Sequence, residues 1–295
     1  MQSKIYEMVT NRIVDQLKQG IIPWNPHFVR VVDRHINVKT KKPYNFLNQI
    51  LLSIDNGQAT GCLTSSVWGT FKQWKDIGAS IRRGEKAHVV LSWMIKEVPS
   101  GAKDAETGED ITETVIRPVY YSVFSLDQVE GIDKSKILPE LPSKNEKMVG
   151  PQKILDDYWT REKINVVICE SNKAYYSPSD DSIHLRALNQ YDSSEHYYRT
   201  AFHESVHSTG HVTRLDRFND DSKKIAFGGS DYSKEELVAE LGSAFLMAMS
   251  GIETKETQEQ NAAYIQGWLS ALQNDSSMIV YAAAKAEKGV DYILD

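Results

Sequence analysis

The stretch AFHESVHSTGH, residues 201–211, decides how this chain is read. It contains His203, His207 and His211 out of 8 histidines in the whole chain, with Glu204 beside the first. On a helix each residue turns roughly 100°, so His203 and His207 lie about 40° apart on one face, a turn from each other. The surrounding DSSEHYYRTAFHESVHSTG supports a helix, with Asp192 or Ser194 as a cap and Gly210 as a C-terminal stop.

Two neutral imidazoles so spaced can grip one divalent ion, and zinc favours such nitrogen ligands, with manganese as the alternative. Glu204 is offset from both, placed to accept a proton from a water that the ion makes acidic, as in H-E-x-x-H metallopeptidases. A catalytic site of this kind needs a third protein ligand. Glu240 is the first choice, because in SKEELVAELGSAFLMAMSG it shares the apolar stripe of Leu237, Leu241 and Ala244. A carboxylate on a buried face is costly unless it is paired or bound to a metal. A glutamate supplied by a neighbouring helix is the gluzincin arrangement. The competing readings are His211 as the third ligand, or Glu240 paired with Arg199 or Arg214. Position 213 is Thr213, which excludes the longer motif with a third histidine ten residues after the first. Ser233 and Glu236 are read as a capping box opening the second helix, and Tyr232 as a candidate to polarise a carbonyl. His184 and His196 are read as structural.

The rest of the chain divides by charge. Residues 1–96 carry 14 Lys+Arg against 6 Asp+Glu, whereas residues 127–295 carry 18 against 28. Two units with different partners are implied, the first suited to an anion. The expected boundaries are a first domain over 1–126, a linker over 127–150 and a second domain over 151–295. In the first, VKTKKPYNF and WGTFKQWKDIGASIRRGEK interleave Lys41, Lys42, Lys72, Arg82, Arg83 and Lys86 with Tyr44, Trp68 and Trp74. Positive charge with aromatic platforms is how proteins hold single-stranded nucleic acid without reading its sequence. No helix-turn-helix, zinc finger or RNA-binding signature is visible, so a sequence-specific reader is not expected.

Local patterns fill in the fold. Ile5, Val9, Ile13 and Leu17 predict a first helix stopped by Gly20. VWGTFKQWKDIGA reads as a short helix ended at Gly78. AHVVLSWMI and VIRPVYYSVF read as paired strands around an acidic loop over 97–113. AYYSPSDDSIHL reads as a hairpin. The 2 cysteines, Cys62 and Cys169, lie far apart and argue against a disulfide framework. No signal peptide or membrane-spanning run is seen, so a cytoplasmic protein with no membrane partner is expected.

The segment WGTFKQWKDIGASIRRGEKAHVV, with PYNFLNQILL before it and VFSLDQVEG after, resembles the N-terminal domain of ArdC-type plasmid antirestriction proteins, a domain shared with conjugative plasmid primases. HESVHSTGHVTRLDR followed by YSKEELVAELGSAFL is similar to the zincin-type domain completing such proteins. The resemblance implies a single-stranded DNA binder that shields incoming plasmid DNA from host restriction during conjugation. It also implies metal ligation by His203 and His207, with Glu204 as base. The expected fold is α+β in two domains, an N-terminal single-stranded-DNA-binding domain and a C-terminal zincin-like metallopeptidase domain. Two rivals remain: a pure DNA-coating protein with a structural or vestigial metal site, and a Spartan-type protease acting on DNA-associated or restriction-system proteins.

Overall fold

The computed structural model describes residues 2–24, 34–58, 65–103, 110–137, 150–169, 173–191, 193–218, 230–252 and 261–295. Helix α1 (Gln2–Lys18) buries Val9, Ile13 and Leu17 as its four-residue spacing predicts, and Gly20, at φ 78°, ends the turn that follows it. Strand β1 (Ile36–Asn37) leads through a turn to α2 (Phe46–Gln58). Residues 67–70 form strand β2 (Val67–Thr70), and the helix expected there shrinks to α3 (Phe71–Asp76). The reason is local: Thr70 accepts from the Gln73 N–H while the Gln73 side chain returns to the Thr70 N–H, so the helix can start only after Thr70.

After β3 (Ser80–Ile81) come the two long strands β4 (His88–Lys103) and β5 (Asp110–Ser125), paired antiparallel from His88↔Val123 outward. The acidic loop expected over 97–113 is therefore largely strand, and only residues 104–109 of it lie outside the described residues. The sheet order is β1-β2-β5-β4. Beyond Thr70 the sheet narrows to the β4–β5 ribbon alone. Leu91 is buried and Trp93 packs on the core, but Ile95 further along the same face is 69% exposed. Strand β6 (Val129–Glu130) then pairs with β3, so the start of the expected linker is built into the first half. Residues 138–149 of that linker lie outside the described residues.

The second half contributes α4 (Pro151–Glu162), the sheet β7 (Asn165–Cys169), β9 (Ser182–Arg186) and β8 (Tyr175–Ser177) in that order, and four helices: α5 (Ser194–Ser208), α6 (Ser230–Met249), α7 (Asn261–Asn274) and α8 (Met278–Leu294). Strand β8 is an edge, antiparallel to β9, as the hairpin reading requires. Ser193 caps α5 by accepting from the His196 N–H, and Asp192 falls outside the described residues. Helix α6 begins at Ser230, so Ser233 is inside it and does not start it. This replaces the expected capping box.

The fold has two domains, and besides the small apolar clusters around Trp74 and Trp68 in the first they share a large common core. One apolar cluster joins Val9 and Ile13 of α1, Phe46 and Ile50 of α2, Leu155 of α4, Val206 of α5, Leu241 of α6 and Ile279 of α8. Polar ties reinforce the joint: the Phe46 N–H donates to Glu287 Oε1 at 3.3 Å, and Thr10 Oγ1 donates to the Ser276 carbonyl at 2.6 Å. Burying apolar surface from both domains together favours their association.

A second buried feature lies wholly in the first half. His35 Nδ1 accepts from Trp68 Nε1 at 2.9 Å, so the ring proton sits on Nε2, 3.2 Å from Ser53 Oγ. Burial holds this histidine at a pKa of about 4. Between that value and the ordinary one near 6.5 only the unfolded chain binds the proton, so stability rises with pH across this window. The free energy of unfolding should fall by about 3 kcal/mol from this source as pH drops from 6.5 to 4. Urea titrations of wild type and His35→Asn across that range check it: the variant should lose this part of the slope, and equal slopes would contradict it.

Candidate metal centre

Helix α5 runs through the middle of the second half, tied to α4 by Trp159 Nε1 donating to Ser205 Oγ at 2.9 Å and by the Tyr158–Ser208 hydroxyl contact at 2.8 Å. Its other side meets α6. A Cβ placed on Gly242 of α6 would stand 2.8 Å from Val206 Cγ2 of α5, closer than carbon atoms pack. Glycine thus lets the two helices approach backbone to side chain, and the facing groups converge.

His203 and His207 project together, with their Nε2 atoms 3.1 Å apart and their rings at 78°. Glu236 reaches both from α6: Oε2 lies 3.4 Å from His203 Nε2 and Oε1 3.3 Å from His207 Nε2. Among the described residues these three form the one group of His, Cys, Asp or Glu that could hold a metal ion, with ligand atoms all within 4.8 Å. The other ring nitrogens face a second rank of acids. His203 Nδ1 lies 3.9 Å from Glu240 Oε1, and Arg199 holds Glu240 through an ion pair of 3.1 Å. His207 Nδ1 lies 3.7 Å from Glu235 Oε1, and Arg217 holds Glu235 at 2.7 Å while also donating to Thr209 Oγ1 and the Val206 carbonyl. Negative charge behind each imidazole favours a proton on Nδ1, so that a bound cation would displace only the Nε2 proton and meet both Nε2 lone pairs beside Glu236.

The electrostatics agree with a place made for positive charge. Burial alone would lower the His207 pKa, but hydrogen bonds to Glu235 and Glu236 and the charge of Glu204 raise it to about 10. Burial would raise Glu236, yet its contacts with His203 and His207 hold it well below the usual carboxylate range. Glu204 is buried at 8% exposure and lies on the sheet side of α5, where its Oε2 accepts the Tyr176 N–H of edge strand β8 at 2.8 Å. One carboxylate oxygen is thereby fixed, which orients the other.

Several expected positions change. Glu240 does not reach the Nε2 pair; it stands behind His203 and pairs with Arg199, and Glu236, one turn earlier on the same face, faces both imidazoles. Turn geometry is the cause, since residues four apart share a helix face and the approach of α5 selects between them. His211 is outside the cluster, with Nδ1 2.8 Å from Thr213 Oγ1. His184 stacks on Tyr175 in parallel, as a structural histidine can. The Tyr232 side chain lies outside the described residues. In the first half Trp68 and Trp74 are fully buried, with Trp74 Nε1 donating to the Phe124 carbonyl, so neither can stack on a ligand. Tyr44 is half-buried and accepts from Asn37 Nδ2. Lys41, Lys42, Lys72, Arg82, Arg83 and Lys86 are all exposed, although Arg82 is paired with Glu85 at 2.6 Å.

Residues 3–124 match the family model for the N-terminal domain of anti-restriction factor ArdC, and residues 155–285 match that for a zincin-like metallopeptidase. The chain belongs to the ArdC-type antirestriction family. Two Escherichia coli proteins named DNA primase TraC are similar over 309 and 302 residues, at 33% and 32% identity. They match 100% and 98% of this chain, which spans only 27% and 20% of their length. The uncharacterized protein y4eC of Sinorhizobium fredii is 30% identical, with 98% of this chain and 91% of that protein covered. Among solved structures, the antirestriction ArdC protein of plasmid R388 superposes at TM-score 0.71 in its metal-free form and 0.69 in its Mn(II)-bound form. Identity is 29% in both, over 98% of this chain and 96% of that one.

The helix contact at Gly242 is open to test. Glycine to alanine inside a helix ordinarily stabilises by roughly 0.5–1 kcal/mol. Here the sign should reverse, and Gly242→Ala should cost about 1–3 kcal/mol through overpacking against Val206. A melting temperature equal to or above wild type would show that the two helices do not meet as closely as described.

Proposed function

We propose that this ArdC-type protein protects incoming plasmid DNA from host restriction during conjugation. In this reading residues 1–126 hold single-stranded DNA and residues 151–295 act as a metal-dependent peptidase on a protein near that DNA. The observation that carries the peptidase half is the convergence of the two Nε2 atoms and Glu236 at 3.1–3.4 Å. A pair of imidazoles with one carboxylate is the donor set that zinc takes in hydrolytic sites, and manganese also accepts it. The Mn(II)-bound form of the R388 relative supports a divalent ion as cofactor. His203, His207 and Glu236 would hold the ion, and Glu235 and Glu240 would keep the imidazoles in the right tautomer. Such an ion supplies Lewis acidity and a water acidified toward neutral pH. Glu204, anchored by the Tyr176 N–H, is then the general base, its second oxygen available to take up a proton. Edge strand β8 lies directly beside it.

The DNA half is supported by the exposed basic side chains and by relatives named as primases. No helix among the described residues is long and apolar enough to cross a membrane. The cytoplasm, where entering DNA meets restriction enzymes, is the proposed site of action. A protease tethered to DNA would find DNA-bound substrates through effective concentration.

Two measurements on the full chain test this. Glu236→Gln should weaken zinc binding by more than a hundredfold, whereas Glu240→Gln should weaken it by about tenfold, the usual range for an orienting group. Equal losses would exclude Glu236 as the third ligand. Glu204→Gln should keep the metal and lower peptide cleavage of restriction subunits by at least a hundredfold. If that variant still gives full protection from restriction, the protein works by coating DNA and hydrolysis has no part in it.

A further inference from the structure

With Trp68 and Trp74 in the core, the aromatic contacts that single-stranded DNA requires must come from elsewhere. Phe71, Tyr120 and Tyr121 are 59%, 55% and 52% exposed, and what marks them is that they fall close together. Their positions are related by sheet topology. β1 runs parallel to β2, and β2 pairs antiparallel with β5 through Thr70↔Val123. Phe71, next after Thr70, and Tyr121, two before Val123, therefore lie at the same end of the sheet. The turn that follows β1 is at this end too. There Asn37 Oδ1 accepts the N–H groups of Lys39 and Thr40, at 3.0 and 3.1 Å, and the closed turn presents Lys39, Lys41 and Lys42 to solvent.

Charge complements the aromatics. Lys72 follows Phe71, and Arg117 is on the Tyr121 face of β5, both exposed. Asp76 is nearby, but it lies 3.6 Å from the Lys39 ammonium and is paired with it. Apolar surface set in excess positive charge fits an anionic partner with flat apolar faces better than a second protein surface or a lipid tail. Stacked bases on a phosphate chain have that character.

We propose that Phe71, Tyr120 and Tyr121, at the sheet end bordered by the 39–42 turn, are the aromatic contacts on which bases of single-stranded DNA stack from the two faces of the ribbon. The proposal rests on the DNA-holding role given above and assigns it a surface. Tyr120 and Tyr121 point to opposite faces of the ribbon, so a strand crossing this end meets one aromatic from each side. The surrounding lysines and Arg117 hold phosphates.

Fluorescence anisotropy of the full chain with a labelled oligothymidylate, across a salt series, tests it. Tyr120→Ala/Tyr121→Ala should weaken binding about tenfold or more with an unchanged salt slope, because stacking releases no counterions. Tyr121→Phe should bind as wild type does. Lys72→Gln should lower the slope by about 0.7, the value for one phosphate contact on a single strand. A double variant within twofold of a tightly binding wild type overturns the placement but leaves the DNA-holding role. Absence of wild-type binding overturns both. Light scattering of the same samples covers the remaining occupant: a wild-type dimer that Tyr120→Ala/Tyr121→Ala dissociates would show the ribbon to be a contact between copies and overturn the proposal.

Discussion

The approach of α5 to α6 is the constraint on which the second half depends. Val206 packs where Gly242 lacks a side chain, and this near contact decides which groups of the two helices can meet. Two imidazoles a turn apart on α5 share a partner because α6 stands this close. At this separation Glu236 reaches both, Glu235 and Glu240 fall in behind them, and Arg217 and Arg199 hold the outer acids. The result is a small site in which the inner nitrogens face an acid and each outer nitrogen has a carboxylate behind it. A site with such outer partners resists rotation of its inner groups, which is what holding a cation at fixed geometry requires.

Helix α6 also joins this site to the basic half. Its first turns carry Glu235 and Glu236, and its later turns bring Phe245 against Phe46 at the start of α2. From α2, Asn48 binds both main-chain groups of Leu91, at 2.7 Å each, and so fixes the inner end of strand β4. A chain of packed elements thus runs from the acidic cluster to the ribbon bearing Tyr120 and Tyr121. Charge asymmetry along the chain marks two domains, and the shared apolar cluster joins them, because α1 and α2 contribute to the same core as the helices of the second half.

Much of this was legible in the residues. Period-four spacing in α1 and α5, the alternation of β4 and the turn signals of the β8–β9 hairpin all act through local geometry, and local geometry is what a sequence expresses most directly. Four features were not legible, each for a tertiary reason. Glu236 and Glu240 share a helix face, and only the crossing of α5 chooses between them. Trp68 and Trp74 alternate with lysines in the sequence, yet a strand and a short helix turn both rings inward while the lysines stay out. Thr70 ends a strand because Gln73 is there to complete its cap, a pairing that the apolar spacing of VWGTFKQW conceals. Ile95 continues the apolar face of β4 but outruns the helices that would cover it, so a pattern that normally marks core here marks surface.

The measurement that bears most directly on the account is the position of a bound ion. Crystals of the full chain loaded with zinc or manganese, with anomalous data at the metal edge, would locate it without assuming its ligands. One peak is expected within bonding distance of Nε2 of His203, Nε2 of His207 and a carboxylate oxygen of Glu236, with Glu240 still on Arg199. A peak held by Glu240 or His211 in place of Glu236, or one away from α5 altogether, would contradict it.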